Sequence, residues 1–162
     1  MTTIFIPGVP VAQPRQRQRV ATINGRPMAM NYTPSKDPVN DFKAAIKMAW
    51  FRSAGIMLDG PVEMRLLFVF PRPKSKTKKR GDSPPEWKTS KPDIDNLAKA
   101  VMDSLNGLAY IDDAQVCSQR IEKVIASKDY PAVTRIEVVS LDGVAAPLMP
   151  LKEAPCDTAD GD

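Results

Sequence analysis

The sequence predicts an α+β fold, a mixed β-sheet with two main α-helices packed on one face. Element signals run in the order strand, hairpin, helix, strand, long loop, helix, hairpin. The segment "PVEMRLLFVF" (61–70) is apolar enough at its end to sit at the centre of a sheet. Two further stretches repeat their apolar residues at helical spacing and supply the covering layer.

"TTIFIPG" reads as a first strand closed by Pro7-Gly8. "QRVATINGRPMAMNY" reads as a hairpin, because Asn24-Gly25 is the strongest two-residue turn signal. Asp37-Pro38 then opens a helix: the aspartate caps and the proline takes the first turn. This helix runs to about Ala54, ahead of Gly55, with Phe42, Ile46, Ala49, Trp50 and Ser53 along one face. After the strand 61–70 comes "PRPKSKTKKRGDSPPEWKTSKP" (71–92), a long basic excursion with five prolines and Trp87 as its one large anchor.

The second helix spans about Asp93 to Asn106, with Gly107 as its C′ residue. Ile94, Leu97, Ala98, Val101, Leu105 and Leu108 form its core stripe. "QVCSQRIEKVIAS" and "AVTRIEVVS" read as two strands, and the Lys128–Pro131 turn between them suggests an antiparallel hairpin. Residues 1–140 make one domain, and 141–162 an acidic tail expected to be disordered.

Composition removes several chemistries. The 162 residues contain no histidine, so imidazole acid–base catalysis, His-based triads and His-bearing zinc sites are excluded. Cys117 and Cys156 lie far apart, which speaks against a disulfide framework and against a CxxC metal site. There is no run of about 18 apolar residues to cross a membrane. The N-terminus places its apolar stretch before its charge, the reverse of a secretory signal, so a cytoplasmic protein is expected. The net charge of +4 is unevenly spread: eight Lys/Arg face only Asp82 and Glu86 between residues 72 and 91. That loop is a plausible polyanion footprint, although a merely solvated loop would look the same.

"KPDIDNLAK" (91–99) adjoins this basic segment and carries paired carboxylates. If the chain stays extended through 93–95, Asp93 and Asp95 point to the same side. Two bare carboxylates held together repel, and a divalent cation between them removes that cost; oxygen-only ligands select Mg²⁺ or Mn²⁺. Asp95, Lys99 and Asp103 are spaced i, i+4, i+8 on a face separate from the core stripe. Lys99 can steady a phosphate or a leaving oxygen, whereas Asp103 reads as surface, paired with Lys99. Asp112-Asp113, at a turn entering a strand, supplies a third carboxylate if that turn folds back beside the helix N-terminus. Caps and turns use the same residue types, so each aspartate alone also has a plain structural role. The conjunction of three acids, a lysine and a basic loop points to a metal-dependent phosphodiesterase.

Residues 91–116, "KPDIDNLAKAVMDSLNGLAYIDDAQV", closely resemble the signature of the RusA family of phage and prophage Holliday junction resolvases. The family pattern, DxDNxxKxxxDxL followed by a DDxQ-type motif, falls here on Asp93, Asp95, Asn96, Lys99, Asp103 and Leu105, then Asp112, Asp113 and Gln115. The opening "IFIPGVPVAQPRQR" is loosely similar to family N-termini. The resemblance implies a RusA-like fold and a homodimeric Mg²⁺-dependent endonuclease, with Mn²⁺ as a possible substitute, that cuts four-way DNA junctions by paired nicks. Residue by residue it implies Asp93, Asp95 and Asp113 as metal ligands, Asp112 as a further candidate ligand, and Lys99 as the catalytic lysine. DNA contacts are expected from Lys74, Lys76, Lys78, Lys79, Arg80, Lys88 and Lys91 of the basic loop, and from Arg15 and Arg17. The alternative from another class is a non-catalytic DNA-binding protein of phage replication or recombination.

Overall fold

A computed structural model of the chain describes residues 1–14, 17–23, 26–32, 34, 36–73, 75 and 83–145. Its elements are β1 (Thr2–Pro7), β2 (Arg17–Ile23), β3 (Arg26–Tyr32), α1 (Pro38–Arg52), β4 (Val62–Phe70), β5 (Glu86–Trp87), α2 (Ile94–Leu105), a 3₁₀ turn (Asp113–Gln115), β6 (Val116–Ile125) and β7 (Val133–Ser140). Five strands form one mixed sheet in the order β1-β7-β4-β6-β5, and β2-β3 form a separate two-stranded ribbon. This is an α+β fold consistent with a RusA-like architecture.

β4 takes the centre because one whole face of it is apolar, with Val62, Met64, Leu66, Phe68 and Phe70 buried, and Val69 is buried on the other face near the strand's end. It pairs in parallel with β6 and antiparallel with β7. The expected β6–β7 hairpin is therefore wrong. A turn does form at Lys128-Asp129, but the connection passes the end of β4, which occupies the place between the two strands. Turn chemistry is local, whereas the choice of neighbour is made by the most buryable strand.

Phe42, Ile46 and Trp50 of α1 and Leu97, Val101 and Leu105 of α2 join the even-numbered residues of β4 in one core. Asp37 caps α1, accepting from Val39 N at 3.1 Å, with Pro38 in the first turn. After α1 the chain turns beneath Trp50 at Gly55, where a Cβ would come within 2.5 Å of the indole. The opposite sheet face is polar. It carries the ion pairs Arg65–Glu63 (2.7 Å), Arg120–Glu122 (3.0 Å) and Arg135–Glu137 (3.2 Å), of the exposed kind that adds little stability.

The basic excursion differs from expectation at its base. Glu86 and Trp87 form β5 against Ile125 and Val124, and Trp87 is 69% exposed instead of serving as an anchor. The anchor is Arg72, whose side chain is only 4% exposed: its guanidinium bonds Ala126 O (2.9 Å), Glu86 (2.6 Å) and Pro84 O. Ile23 pairs with Arg26, so β2 and β3 are joined by two residues; these, Asn24 and Gly25, lie outside the described residues. So do Arg15, Lys74, Lys76, Lys78, Lys79 and Arg80, and the tail beyond residue 145. Among the described residues, no helix is long and apolar enough to cross a membrane.

Candidate active site

The site is built where α2 lies over β6. Leu97, Ala98, Ala100, Val101, Ser104 and Leu105 of α2 are buried, which leaves Asp95, Lys99 and Asp103 on its outer face. Together with Ile94, Ala98, Met102, Asp113, Gln119 and Ile121, these three line a cavity of about 410 Å³. The cavity therefore brings carboxylates from two separate elements to one space: Asp95 from the first turn of α2 and Asp113 from the turn ahead of β6.

The start of α2 is held from three sides. Lys123 of β6 donates to Pro92 O at 2.7 Å and to Ser90 O at 3.0 Å. Gln13 N, from the segment after β1, donates to Asn96 O at 2.8 Å. Lys88 lies 4.9 Å over the Phe70 ring and donates to Ser90 Oγ at 2.8 Å. These contacts fix the direction in which α2 leaves the sheet.

Asp93 is extended, at φ −72° and ψ 144°, but Ile94 and Asp95 are already the first helical residues. The expectation that an extended 93–95 segment aligns both carboxylates by strand alternation is therefore corrected. The helix begins one residue too early for it, and Asp93 stands outside the residues lining the cavity. Asp93 nevertheless differs from the other aspartates at N-cap positions. Asp37 bonds Val39 N and Asp112 bonds Ala114 N (2.8 Å), whereas the Asp93 side chain makes no capping hydrogen bond. Its carboxylate is not engaged in the duty that an aspartate at this position normally performs.

Asp112 does perform that duty. Its side chain caps the 3₁₀ turn, and Gln115 reciprocates in a capping box. Asp103 pairs with Lys43 of α1 at 3.1 Å, not with Lys99 as the helix spacing suggested; the partner comes from a packed neighbouring helix that i, i+4 reasoning cannot see. Of the expected DNA contacts, Lys91 is described and exposed, Lys88 is engaged at Phe70 and Ser90, and Arg17 opens β2.

Tyr110 links the two walls of the site. It is fully buried, and its hydroxyl donates to Met102 O of α2 at 2.9 Å. Burial pushes its ionisation well above that of an ordinary tyrosine, and the carboxylates of Asp113 and then Asp103 push it further. Because the folded protein disfavours tyrosinate, this stabilising contribution is complete below the ordinary tyrosine pKa and is lost as pH rises beyond it. Wild type should therefore lose stability above about pH 10 more steeply than Tyr110→Phe. Denaturant midpoints compared at pH 8 and pH 11 check this, and parallel losses in the two proteins would contradict it.

Three further residues hold the site together. Gln115 bonds four backbone groups around the Asp112-Asp113 turn, and its position three after Asp112 was a readable capping-box signal. Nothing in the sequence around Tyr110 marks its tie to Met102 of α2. Lys123 had no sequence signal, since its partners lie 31 and 33 residues away.

Among the described residues no three His, Cys, Asp or Glu side chains are grouped as a ready-made metal cage. The chemistry of the donor set still suits one kind of ion. Three carboxylates line the cavity with no His or Cys beside them, and since Asp103 is paired with Lys43, Asp95 and Asp113 are left to fit Mg²⁺, which is commonly held by one or two carboxylates with water and substrate phosphate completing its shell.

Comparison with known proteins adds two findings. The family model described as "Endodeoxyribonuclease RusA" matches residues 7–139. A Bacillus subtilis (strain 168) protein described as "Uncharacterized protein YqaN" is 34% identical over 137 residues, covering 82% of this chain and 89% of its own.

Proposed function

The chain belongs to the RusA endodeoxyribonuclease family, and from that premise we propose that it is a Mg²⁺-dependent endonuclease that resolves four-way DNA junctions by paired nicks in recombination and repair, in a phage or prophage setting. The observation that carries this is the meeting of Asp95 and Asp113, from separate elements, on one cavity that also holds Lys99. Family membership supports the nuclease; the cavity supports where its chemistry resides.

Asp95 and Asp113 would hold the ion, with Asp93 as the third candidate ligand at the edge of the site; Mn²⁺ suits the same donors. A bound Mg²⁺ would supply charge toward a phosphate oxygen and acidify a water. Lys99, one helical turn from Asp95, presents its ammonium to the phosphate and stabilises charge on the departing oxygen. Asp103 is steered by Lys43 and so shapes the cavity wall. Lys91, Arg17 and the basic loop supply sequence-independent phosphate contacts, whose affinity falls with salt.

A homodimer suits a substrate with near two-fold symmetry. β1 is an edge strand without a charged residue, its own Phe5 is 60% exposed, and it borders a 510 Å³ groove with Ala45, Met48 and Ala49 of α1. A second copy's strand can add at that edge.

The test is a nicking assay on four-way, three-way and linear duplexes with Mg²⁺ and with EDTA. Metal-dependent paired nicks confined to the four-way substrate are expected. Binding without nicking in Mg²⁺ or Mn²⁺ would replace this reading with the non-catalytic DNA-binding one. Lys99→Ala should lower single-turnover nicking by about 100-fold while junction affinity in EDTA changes little. The opposite pattern, lost affinity with normal turnover, would make Lys99 a mere phosphate contact.

A further inference from the structure

Asp113 reaches the cavity from a short exposed turn, a poor mount for a ligand that must meet Asp95 on another element. The side chain of Gln115 compensates. Its Oε1 accepts from Ile111 N at 2.7 Å and from Asp112 N at 3.0 Å, while its Nε2 donates to Leu58 O at 3.2 Å and to Gly60 O at 2.9 Å. A carboxamide has two donors and two acceptor sites, and here all four are used. One half of the group fixes the backbone just before Asp113. The other half ties that backbone to the 58–60 segment, which leads into β4 and is itself bonded to Ala109 O through Leu58 N at 2.9 Å.

We propose that Gln115 is a positioning residue for the metal site, holding the Asp113 carboxylate at the spacing from Asp95 that a shared divalent cation requires. The proposal rests on the nuclease reading above. It is separable from a general structural role, because the ladder between β4 and β6 runs from Val62 to Phe70 through contacts that do not involve the Gln115 side chain. Loss of the carboxamide should therefore loosen the turn and leave the sheet in place. Residues that orient a ligand without touching the ion typically change metal affinity or activity by about 10- to 100-fold when replaced.

Two variants separate the functions of the two halves. Gln115→Ala removes all four bonds. Gln115→Glu keeps the volume and the accepting oxygen but sets a second oxygen against the carbonyls of Leu58 and Gly60, so it also decides the matter should the alanine variant fold poorly. Three quantities are measured on each: amide hydrogen exchange at Ile111 and Asp112 in metal-free protein, the Mg²⁺ concentration giving half-maximal shift of the Asp113 amide resonance, and the Mg²⁺ dependence of four-way-junction nicking. The expected result is faster exchange at the two amides, with both Mg²⁺ midpoints raised about 10-fold or more and junction affinity in EDTA unchanged. Variants that match wild type at every Mg²⁺ concentration would overturn the proposal while leaving the nuclease reading intact. Uniform loss of thermal stability with unshifted midpoints would also overturn it, by reducing Gln115 to a structural residue. A wild-type protein that neither binds Mg²⁺ nor nicks would overturn the nuclease reading and this inference together.

Discussion

Replacing Asp95 by asparagine should lower Mg²⁺-dependent nicking of a four-way junction by at least ~1000-fold while binding of the junction in EDTA persists. The amide keeps the size of the side chain and one accepting oxygen but replaces the other oxygen with a donor and removes the charge that attracts a hard cation. A Lewis-acid contribution of ~4 kcal/mol, the order that metal ions supply to phosphoryl chemistry, corresponds to about three decades in rate. Asp113→Asn should do the same, because its carboxylate faces the same cavity. Asp103→Asn should cost far less: that carboxylate is already paired with Lys43 at 3.1 Å. Single-turnover rates and gel-shift affinities for the three variants decide this. Near-wild-type nicking by Asp95→Asn, or a loss as large for Asp103→Asn, would remove the assignment.

The second large effect concerns stability. Tyr110 is the largest of the fully buried side chains, set between Met64 of β4 and the C-terminal turn of α2, and it belongs to the core cluster. Truncation to alanine empties a space that helix and sheet cannot both close, so a cost of roughly 3–5 kcal/mol is expected. For a chain of this size that lowers the melting temperature by about 10 °C or more. Tyr110→Phe keeps the ring and loses only the bond to Met102 O, a carbonyl already serving Asn106 N at 3.0 Å, so its cost should stay near ~1 kcal/mol. Similar melting temperatures for Tyr110→Ala and wild type would show that the linker between α2 and the Asp113 turn is not packed as described.

Much of this was legible in the residues. The Asp37-Pro38 start of α1, the spacing of Leu97, Val101 and Leu105, and the apolar run of β4 are local signals, and each element stands within a few residues of its reading. Gly107 has φ +72°, as a C′ glycine should. Quantities set by distant parts of the chain were not legible. Nothing in "QVCSQRIEKVIAS" announces that β4 will lie between it and β7. Nothing near Asp103 announces Lys43. Within "KPDIDN" the sequence marked the acids but misjudged their geometry, since the point at which an extended cap becomes helix shifts Asp95 out of strand alternation. The approach of Asp113 to α2 rests on the packing of β6, and only the fold could place it.

Asp95 and Asp113 are proposed to serve one ion, and Mg²⁺ titrations of wild type, Asp95→Asn, Asp113→Asn and the double variant decide whether they do. A shared ion gives strongly non-additive losses, with either single substitution removing nearly all the binding free energy that the double substitution removes. Additive losses, or a single variant that retains wild-type Mg²⁺ affinity, would contradict it.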